Sequence, residues 1–328
     1  MTLLLLLGLS HASEAPPVVG GSETNTFRQI GALVAVKGNS GGAFCSGTLT
    51  SAARVVTAAH CAEAAEEYLD GGYDLYVVFE KSIYESWDVY RPVKQILIHP
   101  DYLYDSSGVE WDIAVLKLES AVTEFGSMRI NTDNVKQNWY GDAITYVGYG
   151  QTSHSGGEEG TRRTVDVVIG YRDDMFVYTR YEGDTVKNVC PGDSGGGALM
   201  LREDGKYELV GVNSWVFNWE NNNLYECHIE DAGAAAQRVD KSVEWLSNFM
   251  DIEIEGEGDA DTDTDADTDT DADSDTSSDT SSEDTGAGGI TPSKDLSSPS
   301  CGCSAGPAGA GLLAALLGLI SLRRRDAS

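Results

Sequence analysis

From Asp251 onward this chain loses the means to form a core, and that boundary limits how much of it can fold. Asp259 to Thr276 is a nearly pure alternation of Asp with Thr, Ala or Ser, and Ser-rich sequence continues to Ser300. Such a stretch cannot bury enough apolar surface to offset its ordering entropy, and its like charges extend it. Residues 251–300 are expected to be a solvated, disordered acidic stalk. Weak calcium binding by alternating carboxylates is the rival reading, but the run lacks the glycine and terminal glutamate of a defined calcium loop. The formal net charge is −31, about half of it in residues 251–295, and this acidity excludes nucleic acid as a partner.

Ahead of the stalk the pattern is all-β. Short apolar runs such as Ala32–Val36, Leu75–Phe79 and Gln95–Ile98 are separated by Gly, Asn, Asp and Ser clusters, as in a sandwich or barrel. Val239, Val243, Leu246 and Phe249 then fall at helical spacing beside Trp245, predicting a helix up to Met250. At the other end, Leu3 to Leu9 is apolar and Ser10-His11-Ala12 is a small-residue cleavage site. Residues 1–12 therefore read as a signal peptide, leaving 13–17 as a short pro-segment.

Four motifs carry chemistry. Gly192-Asp193-Ser194-Gly195-Gly196, after Cys190-Pro191, places a serine between glycines, where its hydroxyl can reach a carbonyl and backbone N–H groups can converge on an oxyanion. Upstream lie Thr57-Ala58-Ala59-His60-Cys61, Trp111-Asp112 followed by Ile113–Leu118, and Val18-Val19-Gly20-Gly21. In the order His, Asp, Ser these resemble the trypsin/chymotrypsin-like serine peptidases, whose triad is a worked example of serine catalysis.

The resemblance covers residues 18–250 and implies two six-stranded antiparallel β-barrels sharing a cleft, with a C-terminal helix packed on the second barrel. It implies Ser194 as nucleophile, His60 as general base and acid, and Asp112 as orienting carboxylate. The N–H groups of Gly192 and Ser194 match the oxyanion hole, and Asp193 matches the carboxylate that pairs with the freed amine of Val18. Ser214-Trp215 matches the strand that binds extended substrate, with the Ser214 hydroxyl near Asp112. Tyr146–Gly150 matches the Gly-aromatic-Gly signature near the start of the second barrel. Of the six cysteines, the resemblance pairs Cys45 with Cys61 and Cys190 with Cys227, leaving Cys301 and Cys303 outside the domain. Histidine and cysteine pairs at zinc-ligand spacing do not recur, so neither metal nor cofactor is expected.

The sequence also departs from the family pattern. Pro17 precedes Val18, so the enzyme that frees Val18 is not expected to be tryptic. A third family disulfide falls on Ile144 and Met200, where an apolar contact is expected instead, and Val177 replaces another family cysteine. By spacing, Asn188 falls at the floor of the primary pocket, while Val216 and Ala234 stand where glycines keep it open. A shallow pocket for small or medium apolar residues is expected.

Residues 301–328 combine Cys301-Gly302-Cys303, an apolar stretch ending at Leu322 and Arg323-Arg324-Arg325. This order resembles bacterial C-terminal surface-sorting signals of the myxobacterial type; an ordinary transmembrane anchor is the alternative. The expected molecule is a secreted protease held at the bacterial cell surface. Its expected partners are protein or peptide substrates, an activating protease and a C-terminal processing enzyme. The rival class is a catalytically silent homologue used for surface binding or adhesion.

Overall fold

The computed structural model describes residues 19–105, 108–152, 159–183, 186–220, 227 and 229–252. The expected signal peptide, pro-segment, Val18, most of the stalk and the C-terminal signal with Cys301 and Cys303 lie outside them. Among the described residues no helix is long and apolar enough to cross a membrane.

A short strand β1 (Ser22–Glu23) leads into β2 (Ile30–Lys37), β3 (Ser40–Ser51), β4 (Arg54–Thr57), helix α1 (Ala59–Asp70), β5 (Asp74–Val78) and β6 (Tyr90–Ile98). A side hairpin, β7 (Leu103–Asp105) and β8 (Gly108–Glu110), precedes β9 (Ala114–Leu118). The antiparallel order β2-β3-β4-β9-β6-β5 closes a barrel. The predicted apolar runs lie in β2, β5 and β6. Closure removes the strand edges that would otherwise invite aggregation.

The second barrel follows β10 (Arg129–Ile130) and uses β11 (Ala143–Gly148), β12 (Arg163–Arg172), β13 (Phe176–Arg180), β14 (Gly197–Leu201), β15 (Tyr207–Asn218) and β16 (Ala232–Arg238). These run β12-β11-β14-β15-β16-β13, and pairing of β12 with β13 completes the ring. The two-barrel expectation is met. Every residue of β16 is buried, and the first five, AGAAA, are small. It pairs with β13 on one side and β15 on the other.

The first barrel is filled by Ile30, Leu33, Val56, Val77, Leu116 and their neighbours, and this core continues into Val147, Tyr149, Leu199 and Val212 of the second barrel. The barrels thus share packed apolar surface rather than merely touching. Tyr149 reinforces the seam, its hydroxyl donating to the Glu80 carbonyl at 2.6 Å. Within the second barrel Ile144 and Met200 are both buried in one cluster with Val177. Thr145 lies opposite Leu199, so the register carries Ile144 and Met200 side by side. Packing occupies the place where relatives of the resembling family carry a bridge.

Two helical readings need correction. Helix α1 occupies a stretch read as part of an all-β pattern. Its sequence AHCAEAAEEYLD is rich in strong helix formers, and Ala59, Cys61, Ala62 and Ala65 form its buried face. The predicted C-terminal helix shrinks to α2 (Val243–Leu246). Leu246 and Ser247 donate to carbonyls four residues back, but Asn248 and Phe249 reach only three back, as in a tightening turn. The segment packs on the seam, not on the second barrel alone. Leu246 and Met250 enter the core shared with the first barrel, Thr50 Oγ1 donates to Met250 Sδ at 3.2 Å, and Trp245 leans on His99.

Candidate active site

His60 and Asp112 face each other where the first barrel meets the second. The Asp112 carboxylate is fully buried, with Oδ2 2.8 Å from His60 Nδ1 and Oδ1 accepting the His60 main-chain N–H at 2.9 Å. The Ser214 hydroxyl donates to the same Oδ2, as the resemblance implies. Burial opposes the charge of Asp112. The charge and hydrogen bonds of His60, with the bond from Ser214, outweigh it and hold the carboxyl below its ordinary range. Oδ2 holds Nδ1, while Nε2 lies 3.5 Å from Cys61 Sγ, so the two ring nitrogens are distinct.

The backbone that aims Asp112 inward is unusual. Trp111 takes φ +52°, a conformation that a bulky residue adopts only when its surroundings impose it. Its indole stacks on the His99 ring at 4.4 Å and 4°, while Ile113 N–H closes a tight turn onto the Trp111 carbonyl. The Asp112 N–H is accepted by Oε1 of the fully buried Gln237 on β16, at 3.1 Å. Gln237 was not legible as a site residue, because its role depends on a partner 125 positions away.

Ser194 sits on the turn before β14 and is buried. The turn is fastened from both sides. From the first barrel, Ser46 N–H donates to the Ser194 carbonyl at 2.8 Å and Ser46 Oγ to the Gly192 carbonyl at 2.9 Å. From the second, Asn213 accepts Gly195 N–H at 2.8 Å and donates its own N–H to the Gly196 carbonyl. Gly195 has φ +78°, and a Cβ there would lie 2.1 Å from Thr57 Oγ1 and 2.4 Å from the Ser46 carbonyl. Only glycine lets the serine turn come this close to the Thr57-Ala58 corner from which His60 emerges. Gly192, at φ +94°, is the second left-handed turn residue.

Asp193 points away from this surface. It is fully buried, with Oδ1 accepting Gly150 N–H at 2.8 Å and Oδ2 accepting Cys190 N–H at 2.9 Å. Burial pushes its carboxyl up to about 6, although those two N–H groups and the Arg163 charge pull the other way. Val19, next to the expected Val18 amine, is held at Asn188, whose N–H its carbonyl accepts at 3.1 Å.

Around the expected primary pocket, Asn188 is buried, its Nδ2 donating to the Gly233 carbonyl at 3.3 Å and its Oδ1 accepting Val189 N–H at 2.9 Å. Its amide is committed to backbone and brings no charge. Val216 lies opposite Ala234 across β15 and β16, and both join the second-barrel cluster. Trp215 packs with Phe176, Tyr178, Phe217 and Trp219 in a separate aromatic cluster. The disulfides Cys45–Cys61 and Cys190–Cys227 are both formed. A ring nitrogen of His60 lies within 4.8 Å of the Cys45 and Cys61 sulfurs. Those sulfurs are bonded to each other, so neither is a thiolate ready to ligate a metal.

Comparison with known proteins agrees with this geometry. The sequence model of the trypsin family matches residues 18–245. A trypsin of Simulium vittatum is 30% identical over 241 residues, covering 67% of this chain and 92% of the relative. A trypsin of Saccharopolyspora erythraea is 28% identical over 210 residues, covering 60% and 86%. Chymotrypsin-like elastase family member 1 of Homo sapiens is 27% identical over 271 residues, covering 75% and 98%. The chain belongs to the trypsin family and is a serine-type endopeptidase of the chymotrypsin kind.

Proposed function

We propose that the mature protein is a secreted endopeptidase attached to the bacterial cell surface, with Ser194, His60 and Asp112 as its triad. The observation that carries the catalytic part of this reading is the buried Asp112 carboxylate on His60 Nδ1 at 2.8 Å, beside a serine turn fastened to both barrels. Ser194 Oγ attacks the substrate carbonyl carbon while His60 Nε2 takes its proton. The carbonyl π electrons move onto oxygen, and the N–H groups of Gly192 and Ser194 receive that oxyanion. Collapse breaks the C–N bond, His60 returns the proton to the leaving amine, and water repeats the sequence on the acyl-enzyme. Asp112 keeps its charge throughout and stabilises the imidazolium.

Cleavage after Pro17 frees the Val18 amine to pair with Asp193. A buried carboxylate gains most from a cation when both are present, so maturation stabilises the working form of the turn. Val216 and Ala234 narrow the primary pocket, and Asn188 brings no negative charge to it, which favours small or medium apolar residues before the scissile bond. Residues 301–328 direct attachment to the surface, with the acidic stalk holding the protease away from it.

A fluorophosphonate probe tests the catalytic assignment. Labelling of the matured protein that disappears in Ser194→Ala supports it. Absence of labelling in both makes the protein a silent binding homologue. Mass spectrometry of the mature ends tests the rest: an N-terminus at Val18 and processing within 301–328 are expected, and an intact chain recovered from the surface overturns both.

A further inference from the structure

We infer that Asn213 is a positioning residue for the oxyanion site, acting through the peptide that joins Asp193 to Ser194. This rests on the proposed role of the Ser194 N–H. In a trans peptide the N–H and C=O point in opposite directions, so whatever grips the Asp193 carbonyl also sets the aim of the Ser194 N–H. Two donors grip it. Gly196 N–H donates to the Asp193 carbonyl at 2.9 Å, and Asn213 Nδ2 donates to it at 3.1 Å. A carbonyl oxygen can only accept, which fixes which end of the Asn213 amide faces it. Hydrogen bonds in series polarise one another, so a donor behind this peptide also strengthens the N–H in front.

The rest of Asn213 shows what this bond is for. The residue is 1% exposed, and its main chain already holds the serine turn through Gly195 and Gly196. Its side-chain Oδ1 is buried with no hydrogen-bond partner among the described residues. An unpaired buried acceptor lowers stability, and an apolar side chain would avoid it. A side chain placed for packing alone would be apolar here. The amide is retained at a cost in stability for what Nδ2 does at the Asp193–Ser194 peptide. The neighbouring oxyanion peptide is held by backbone alone, with Gln151 N–H donating to the Pro191 carbonyl behind Gly192 N–H at 2.8 Å.

Matured, full-length Asn213→Val tests the inference, with rates taken per titrated active site. Outright loss of one oxyanion donor costs about 100- to 1,000-fold in rate, so loosening one predicts a fall in kcat of about tenfold. KM should stay within about twofold, because the oxyanion forms only in the transition state. Affinity for a peptide boronate should fall with kcat, affinity for the product peptide should hold, and the melting temperature should stay or rise. An unchanged kcat overturns the inference, as does a fall in kcat matched by weaker product binding and a lower melting temperature. Asn213→Asp gives a second reading if the valine variant does not fold. Its carboxyl can donate to the Asp193 carbonyl only when protonated, so its activity relative to wild type should decline through a new ionisation as pH rises. A ratio independent of pH overturns the inference. A matured wild type that turns over no peptide overturns both the inference and the catalytic assignment. Failure of the Asn213 variants alone leaves the triad standing.

Discussion

Gln237, on the last strand of the second barrel, accepts the main-chain N–H of Asp112, which belongs to the first, at 3.1 Å. Its Nε2 donates to the Met175 carbonyl at 3.1 Å, so the amide bridges the site to the second barrel. Asp112 is held at its carboxylate by His60 and Ser214 and at its backbone by Gln237. Gln237→Leu strands a buried N–H, at a cost of about 1–3 kcal/mol. Urea unfolding should show that loss, and kcat should fall by about tenfold with KM little changed. Full activity in the folded variant would remove Gln237 from the positioning of the triad.

Asp193 sets a pH dependence for the uncut chain. Its carboxyl is raised to about 6 by burial, against an ordinary value near 4. A group raised in this way adds stability that is fully present below its unfolded pKa and is lost as pH rises through the folded one. The difference in unfolding free energy between wild type and Asp193→Asn should therefore shift by roughly 2 kcal/mol between about pH 4 and 7. Asp112, held low, works in the opposite direction, and taking the difference removes it. Freeing Val18 should flatten the curve; an equally steep slope after cleavage would dismiss the amine as the partner of Asp193.

Gly195→Ala should disable the enzyme without touching a reacting group. The added methyl would meet Thr57 Oγ1 at 2.1 Å and the Ser46 carbonyl at 2.4 Å, on a backbone already at φ +78°. Both neighbours belong to barrel strands and cannot retreat. Probe labelling should drop at least a hundredfold, and a labelling rate near wild type would show that the turn can relax.

Ile144 and Met200 carry a load that relatives of the resembling family give to sulfur. Ile144→Ala removes a fully buried side chain and should cost about 2–5 kcal/mol. Chemical denaturation measures this, and a loss below about 1 kcal/mol would mean that the site collapses around the missing atoms.

Pocket depth can be read directly. Val216→Gly with Ala234→Gly removes the two facing side chains, and turnover should shift toward larger apolar residues before the scissile bond. An unchanged preference would place selectivity elsewhere on the cleft.

The barrels were legible because β2, β5 and β6 announce themselves as short apolar runs between turns, and His60, Asp112 and Ser194 lie in compact local motifs. Helix α1 is hidden in the sequence because its alanine- and glutamate-rich segment, which includes His60, lies between apolar strand runs. The C-terminal helix was overextended because helical spacing from Val239 to Met250 also fits a series of turns, and Trp245 and Met250 are drawn to His99 and Thr50. Ser46, Asn213 and Gln237 left no local signal. Each is an ordinary polar residue until the fold brings its partner from more than a hundred positions away, or, for Asn213, from twenty.

The serine turn is stitched to Ser46 on one side and to Asn213 on the other. Any sliding of one half of the molecule past the other would shear the peptides on either side of Ser194. A jaw-like opening of the two barrels would therefore have to break the bonds that Ser46 makes to this turn. If cleavage before Val18 does switch this protein on, it has to act from the rim, over an anvil that stays still.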